Sequence, residues 1–193
     1  TRATIARLVD AVIADGSCDA VPALCDPFPI PVICALVGIE ADRLDDMSRW
    51  ASAILLSLRL DAGSFIDEIE QAQAELDDYL DELIADRRAN PRDDLLSNLI
   101  AVEEEGDRLS PSELLSVVAM MLVAGTDTTR NQLSNMIHTF AEHPDQWALL
   151  RSRPELVAAA VEEAIRWEPA TEALPRFATD AIGIGGHLVP GGT

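Results

Sequence analysis

The sequence predicts a mainly helical fold with a small β-hairpin region near the C-terminus. Three observations carry this prediction. Apolar residues recur every three or four positions along most of the 193-residue chain. One such segment extends from Ser110 to His143, longer than an ordinary globular helix. Residues 176–190 instead alternate in the manner of strands around a Gly-Gly pair, which is typical of a hairpin.

The composition limits the partners that the chain is expected to have. The formal net charge is -20 and every basic residue other than histidine is an arginine. Such a chain should repel nucleic acid and anionic membrane surfaces. The longest apolar run, near residues 117–124, is too short to span a bilayer. We therefore expect a cytoplasmic protein with neither a nucleic acid nor a membrane as partner.

Several helices are predicted before the long one. Residues 2–15 carry helical periodicity and end at Gly16, and a proline-rich turn leads into a short helix closed by Gly38. Residues 41–59 and 65–88 form two further periodic segments. The second is strongly acidic, which fits either a solvated helix face or, less simply, a docking face for a basic partner.

The chain contains three cysteines, Cys18, Cys25 and Cys34. Their number is odd and their spacings match no zinc or redox motif. We expect small buried thiols in a reducing compartment.

The long helix has clear sequence signals at both ends. Ser110, Pro111 and Glu113 form a capping box with proline at the first helical position. Pro144 predicts a stop at about residue 143. At 1.5 Å per residue the helix would be about 50 Å long, enough to cross a whole domain.

Midway along this helix lies the stretch LVAGTDTT, residues 122–129. Gly125 costs a helix about 1 kcal/mol relative to alanine, and Asp127 is unfavourable there without a partner. The stretch fits a local bulge that lets a ligand approach the backbone and presents an acid beside an alcohol. It also fits a kinked core helix whose threonine hydroxyls bond to carbonyls four residues back. One helical face collects these five residues: Met120, Val123, Ala124, Asp127 and Thr128.

A second motif, EAIR, places Glu163 and Arg166 three residues apart on a predicted helix. Side chains at this spacing can form an ion pair. Such pairs are commonly weak surface features, so the motif alone indicates little. Three motifs follow one another along the chain: AGTDTT, EAIR and the Arg176 of LPRFATDAIGIGGHLVPGG. This ordered set is much more specific than EAIR alone.

This ordered set resembles the cytochrome P450 family in its soluble bacterial branch. AGTDTT at 124–129 resembles the oxygen-activating motif of the family's central helix, and EAIR at 163–166 its Glu-x-x-Arg helix. The resemblance implies a P450-like helical fold. It also implies haem as cofactor, with dioxygen and a small organic molecule as substrates. Electrons would come from NAD(P)H through a ferredoxin-type or flavin redox partner.

The resemblance also implies roles for individual residues. Asp127 would relay protons and Thr128 would hydrogen-bond dioxygen or a water beside it. Ala124, Gly125 and Arg176 would contact the cofactor, Arg176 through a haem propionate. Glu163 and Arg166 would be structural, forming a buried network with the segment after Pro169. The substrate pocket would be lined by Met120, Val123, Ala173 and Leu174.

The chain departs from the family pattern at both ends. The family's N-terminal region and the helix that usually carries further propionate contacts are absent from these residues. The cysteine loop that supplies the iron ligand would lie beyond Thr193, so this chain contains no metal ligand of that kind. We therefore expect residues 1–193 to be a single, partial and incomplete P450 domain that is inactive alone. The alternative is a haem-free P450 homologue that stabilises another enzyme; the coding sequence after residue 193 would distinguish the two.

Overall fold

The computed structural model describes residues 1–104, 110–173 and 176–193. Within these residues the chain forms the following α-helices and β-strands, in sequence order. They are α1 (Arg2–Val12), α2 (Pro29–Val37), α3 (Leu44–Leu55), α4 (Ile66–Ala89), α5 (Leu95–Glu104), α6 (Pro111–Glu142), α7 (Pro144–Ser152), α8 (Val157–Trp167), β1 (Ile182–Ile184) and β2 (His187–Val189). A π-helical turn, Val21–Cys25, precedes α2.

Helix α6 confirms the predicted long central helix. The Ser110 amide donates to Glu113 Oε2 at 2.8 Å, and the Glu113 amide donates to Ser110 Oγ at 3.4 Å, which completes the capping box. His143 is the C-cap, directly before Pro144. Helices α2, α3, α4, α5, α7 and α8 all contact α6. It is therefore the element around which the described fold is arranged.

The hydrophobic core lies beside the N-terminal half of α6. The buried residues of this helix are Leu114, Val118, Ala119, Leu122 and Thr126, all of them before Asp127. Helices α2, α3, α4 and α5 supply the opposite wall with residues such as these: Ile30, Val37, Met47, Trp50, Leu76, Leu80 and Leu96. Packing on this side fixes the direction in which every later residue of α6 points.

A buried polar cluster joins three of these helices. The Arg87 side chain, 1% exposed, donates to the carbonyl of Gly38 at 2.6 Å and to Asp94 Oδ2 at 2.8 Å. Asp94 Oδ1 accepts the amide of Ser97 at 2.8 Å, in the first turn of α5. We call Arg87, Asp94 and the Gly38 carbonyl the Arg87 cluster. It holds the ends of α2, α4 and α5 together.

The C-terminal hairpin is confirmed. Strands β1 and β2 pair antiparallel, with Ile182 opposite Val189. Gly185 and Gly186 have φ of 56° and 82°, which allows the two-residue turn that other residues would strain. The hairpin is small and largely exposed.

The earlier helical predictions also hold, with shifted ends. Residues 2–15 form α1 and a 3-10 turn, and 41–58 form α3 with a 3-10 turn at either end. The acidic segment 65–88 is α4, one of the longer helices. Among the described residues, no helix is long and apolar enough to cross a membrane.

Candidate functional site

The LVAGTDTT stretch is continuous α-helix, without the bulge that the sequence had suggested. Residues 111–142 are helical throughout. Thr126 Oγ1 donates to the Leu122 carbonyl at 2.7 Å, and Thr128 Oγ1 donates to the Ala124 carbonyl at 2.8 Å. These bonds go to carbonyls that already serve the helix ladder, so the hydroxyls are satisfied without breaking a turn. The hydroxyl-to-carbonyl bonds of the second interpretation are therefore present, on a helix that is unbroken from Pro111 to Glu142.

An open stripe follows one side of α6 across this stretch. Met120, Ala124 and Thr128 lie four residues apart and are all exposed, Met120 by 65%. The stripe spans two turns, about 12 Å. Val123 and Asp127 lie at its border and are partly buried. The predicted helical face is therefore present. Its central residues are exposed to solvent, and its border residues, Val123 and Asp127, are partly buried.

Asp127 is held by two neighbours on its own helix. Its Oδ1 forms an ion pair with Arg130, and its Oδ2 accepts Asn131 Nδ2 at 3.0 Å. Arg130 Nε lies a further 3.7 Å from Asp26 Oδ1, just after the π-helical turn. The negative charge of Asp127 is thus paired with the positive charge of Arg130, three residues further along α6. These partners were not identified from the sequence, although the i+3 and i+4 spacing of Arg130 and Asn131 is a signal from which they could have been predicted.

Gly125 faces α2 and not the open stripe. A Cβ added to Gly125 would lie 3.5 Å from the Ile33 side chain, an ordinary van der Waals distance. Packing therefore does not require glycine at this position. The predicted contact of Gly125 with the cofactor stays a prediction, and the effect of Gly125 on stability can be measured separately.

Gly125→Ala should raise the free energy of unfolding by up to about 1 kcal/mol, because alanine is the better helix former and the site has room for it. Urea denaturation of the complete protein measures this. The matched control, Ala124→Gly, should lower the stability by about the same amount. A clear loss of stability in Gly125→Ala would contradict the packing seen here.

The Glu163–Arg166 pair forms as predicted but is not buried. Arg166 Nε and Nη2 donate to the two Glu163 oxygens at 2.8 and 2.7 Å, while the side chains are 65% and 61% exposed. The hydrogen bonds lower the pKa of Glu163 and raise that of Arg166. The expected buried network is therefore wrong for these residues. Helix α8 turns Ala164 inward, where it is buried, and the ion pair outward.

A different polar link joins α6 to the segment after α8. The Ala170 amide donates to Gln132 Oε1 at 2.9 Å, and Gln132 Nε2 donates to the Glu168 carbonyl at 3.1 Å. Asn135 Nδ2 reaches the same carbonyl at 3.3 Å. We call the two hydrogen bonds of Gln132 the Gln132 clamp. Sequence reasoning missed it because a glutamine on a helix gives no sign of a partner 36 residues away.

The described residues form cavities at three places along the C-terminal half of α6. The largest, about 700 Å³, lies against α7 and α8 and is lined almost wholly by apolar side chains such as Met136, Phe140 and Trp147. The second, about 440 Å³, is lined by Thr128, Gln132 and the segment 169–171, among others. The third, about 300 Å³, lies at the end of α6 beside Trp167. Of these three, the second is the one that Thr128 lines, so we place the candidate site there and on the open stripe.

The remaining predicted site residues lie near the C-terminus. Ala173 and Arg176 are exposed. Leu174 lies outside the described residues. The lining roles of Ala173 and Leu174 and the cofactor role of Arg176 stay predictions.

The three cysteines differ in their exposure to solvent. Cys25 and Cys34 are buried and Cys18 is exposed, so the expectation of buried thiols holds for two of the three. Burial raises the pKa of Cys34 to about 12, which keeps this thiol protonated at neutral pH. Cys34 is therefore a packing residue and a poor metal ligand.

The described residues define a helical protein whose longest helix carries an open, largely apolar stripe ending in a hydroxyl beside a paired carboxylate. A family model, Cytochrome P450, matches residues 42–153. The chain belongs to the cytochrome P450 family.

Individual relatives agree with this assignment. The chain is 36% identical over 186 residues to 6-deoxyerythronolide B hydroxylase of Saccharopolyspora erythraea, covering 96% of this chain and 45% of the relative. It is 36% identical over 194 residues to Vitamin D(3) 25-hydroxylase of Pseudonocardia autotrophica, covering 97% and 47%. The crystal structure of CalO2 superimposes with a TM-score of 0.91 at 28% identity, covering 98% of this chain and 48% of that one. The chain spans about half the length of the curated relatives it matches.

Proposed function

We propose that the protein is a haem-thiolate monooxygenase that inserts one atom of dioxygen into a small organic substrate. Electrons would come from NAD(P)H through a ferredoxin-type or flavin redox partner. The observation that carries the proposal is the open stripe of α6, which ends at Thr128 in the same turn as the paired Asp127. Its family membership and the hydroxylases among its relatives support the same reaction class.

The residues of the open stripe fit the face of a planar apolar cofactor. Ala124 at its centre has a side chain no larger than a methyl group, so a flat group could lie close to the helix there. Thr128 supplies one hydroxyl at the end of the stripe, and Met120 supplies an apolar side chain at the other. We propose that haem packs on Ala124 and that the exposed Arg176 pairs with a haem propionate.

Haem, when bound, supplies the activation of dioxygen and the redox chemistry. Thr128 would turn its hydroxyl from the Ala124 carbonyl toward the open side and donate a proton-directing hydrogen bond there. Asp127 would relay protons to that position from solvent. Met120, Val123, Ala173 and Leu174 would line the substrate pocket, and Glu163 and Arg166 would have a structural role.

The proposal needs a cysteine thiolate as iron ligand, which we expect after Thr193, as the family resemblance implies. Cys34, buried and protonated, does not fit that role. We therefore expect residues 1–193 alone to be inactive.

Haem binding by the complete protein tests the proposal. The protein made from the complete reading frame should purify with bound haem and, when reduced under carbon monoxide, give the absorbance spectrum of a thiolate-ligated iron. Residues 1–193 expressed alone are the control and should not give that spectrum. A complete protein that binds no haem would overturn the proposal and favour a haem-free partner protein.

A further inference from the structure

Gln132 supplies two of the hydrogen bonds that link α6 to the segment after α8. Gln132 uses both halves of its amide, accepting the Ala170 N–H at 2.9 Å and donating to the Glu168 carbonyl at 3.1 Å. Both partners are backbone groups, so the clamp fixes the path of the chain and does not depend on the side chains at 168 and 170. Two bonds from one planar group fix the orientation of the segment as well as its distance.

The clamp also supplies a hydrogen-bond donor to the C-terminal end of α8. Glu168 is the C-cap of α8, and the last carbonyls of a helix have no partner within it. Gln132 satisfies the Glu168 carbonyl, and Asn135 reaches it as well at 3.3 Å. The hydrogen bonds from Gln132 and Asn135 on α6 therefore fix the direction in which the chain continues after α8.

The position of the clamp relates it to the acid–alcohol turn. Gln132 follows Thr128 by four residues, so the two side chains are neighbours on one face of α6, about 6 Å apart. Thr128, Gln132, Pro169, Ala170 and Thr171 line the same cavity of about 440 Å³. The segment 169–171 is thus a wall of the space beside Thr128, and the clamp, through Glu168 and Ala170, fixes the distance of that wall from α6.

We propose that Gln132 is a positioning residue for the oxidation reaction. It holds the segment 169–171 as a fixed wall of the substrate site, so that a bound substrate is presented to the turn of Thr128 in one orientation. This inference rests on the proposed function. Gln132 acts through the wall and does not itself take part in the proton transfer.

Amide hydrogen exchange tests the clamp without reference to turnover. In the complete holoenzyme, Gln132→Ala should make the Ala170 amide exchange about fivefold to tenfold faster, because its hydrogen-bond acceptor is gone. Asn135→Ala is the matched control: it removes the other donor to the Glu168 carbonyl and should leave exchange at Ala170 unchanged. Gln132→Glu keeps an acceptor for Ala170 and should retain most of the protection.

Steady-state kinetics then test the positioning role. Gln132→Ala should raise KM roughly tenfold, change the ratio of oxidation products and lower kcat much less, with an unaltered haem spectrum. Asn135→Ala should leave KM and the product ratio near those of the wild type. Gln132→Glu should lie between the two.

Each outcome decides one part of the inference. Unchanged exchange at Ala170 in Gln132→Ala would overturn the clamp itself. Faster exchange with unchanged KM and product ratio would overturn the positioning role and leave the proposed function intact. A wild-type protein that takes up no haem would overturn the proposed function, and the positioning role with it, whatever the exchange experiment shows.

Discussion

Asp127→Asn should slow product formation by about 100-fold to 10,000-fold, the usual cost of removing one positioned proton donor or acceptor. The substitution keeps the size of the side chain. It also keeps an oxygen that can accept Asn131 Nδ2, which lies 3.0 Å from Asp127 Oδ2. The helix should therefore stay folded while the group that can gain and lose a proton is gone. The rate of product formation by the reconstituted holoenzyme measures the effect.

The control for this variant is Asp26→Asn, which removes the other carboxylate beside Arg130 and leaves Asp127 unchanged. Asp26 lies 3.7 Å from Arg130 Nε and is 45% exposed. Asp26→Asn should change the rate little, since Arg130 keeps its pair with Asp127. Full activity in Asp127→Asn would remove Asp127 from the proton pathway. A matching loss in both variants would assign the effect to the charge of Arg130.

Asp94→Ala should lower the free energy of unfolding by about 3–5 kcal/mol, because it leaves the Arg87 guanidinium buried without its main partner. Arg87 is 1% exposed and Asp94 7% exposed, so water cannot replace the lost bond. The variant also removes the carboxylate that accepts the Ser97 amide at the start of α5. Urea denaturation of the complete protein, followed by circular dichroism, measures the change.

Asp86→Ala is the matched control. Asp86 also accepts a hydrogen bond from Arg87, at 2.7 Å, but its side chain is 46% exposed. Water can take its place, so this variant should cost far less than Asp94→Ala. Equal losses in the two variants would contradict the account of the Arg87 cluster.

The pH dependence of the Asp94 effect has a definite sign. Burial alone would raise the pKa of Asp94, but hydrogen bonds from the Ser97 amide and from Arg87 outweigh it and lower the pKa. The stabilisation is therefore fully present above the pKa of an unfolded aspartate and lost as the pH falls through the folded value. The stability difference between the wild type and Asp94→Ala should be constant above about pH 5 and shrink below it.

The sequence predicted those features whose causes are local. The capping box of Ser110 and Glu113 and the Gly185–Gly186 turn each arise within a few residues, and both are present. The length of α6 followed from the absence of any strong helix breaker between Pro111 and Pro144. That Met120, Ala124 and Thr128 share one face of α6 followed from helical periodicity alone.

Features with distant causes could not be predicted in this way. Arg87 bonds to a carbonyl 49 residues earlier, and Gln132 to backbone groups 36 and 38 residues later. No periodicity reports such contacts. The exposure of Glu163 and Arg166 likewise depends on which face of α8 packs against α6, and the spacing of the pair is the same on either face.

Product formed per NAD(P)H consumed, with hydrogen peroxide assayed alongside, tests the central claim most directly when Thr128→Ala and Thr129→Ala are compared in the complete enzyme. Thr128 is exposed on the open stripe, whereas Thr129 is turned about 100° away and is partly buried. We predict that Thr128→Ala binds substrate but diverts reducing equivalents to peroxide, while Thr129→Ala stays largely coupled. Loss of coupling in Thr129→Ala alone would show that the site is placed wrongly by one residue, and unchanged coupling in both variants would reduce the LVAGTDTT turn to a structural feature of the helix.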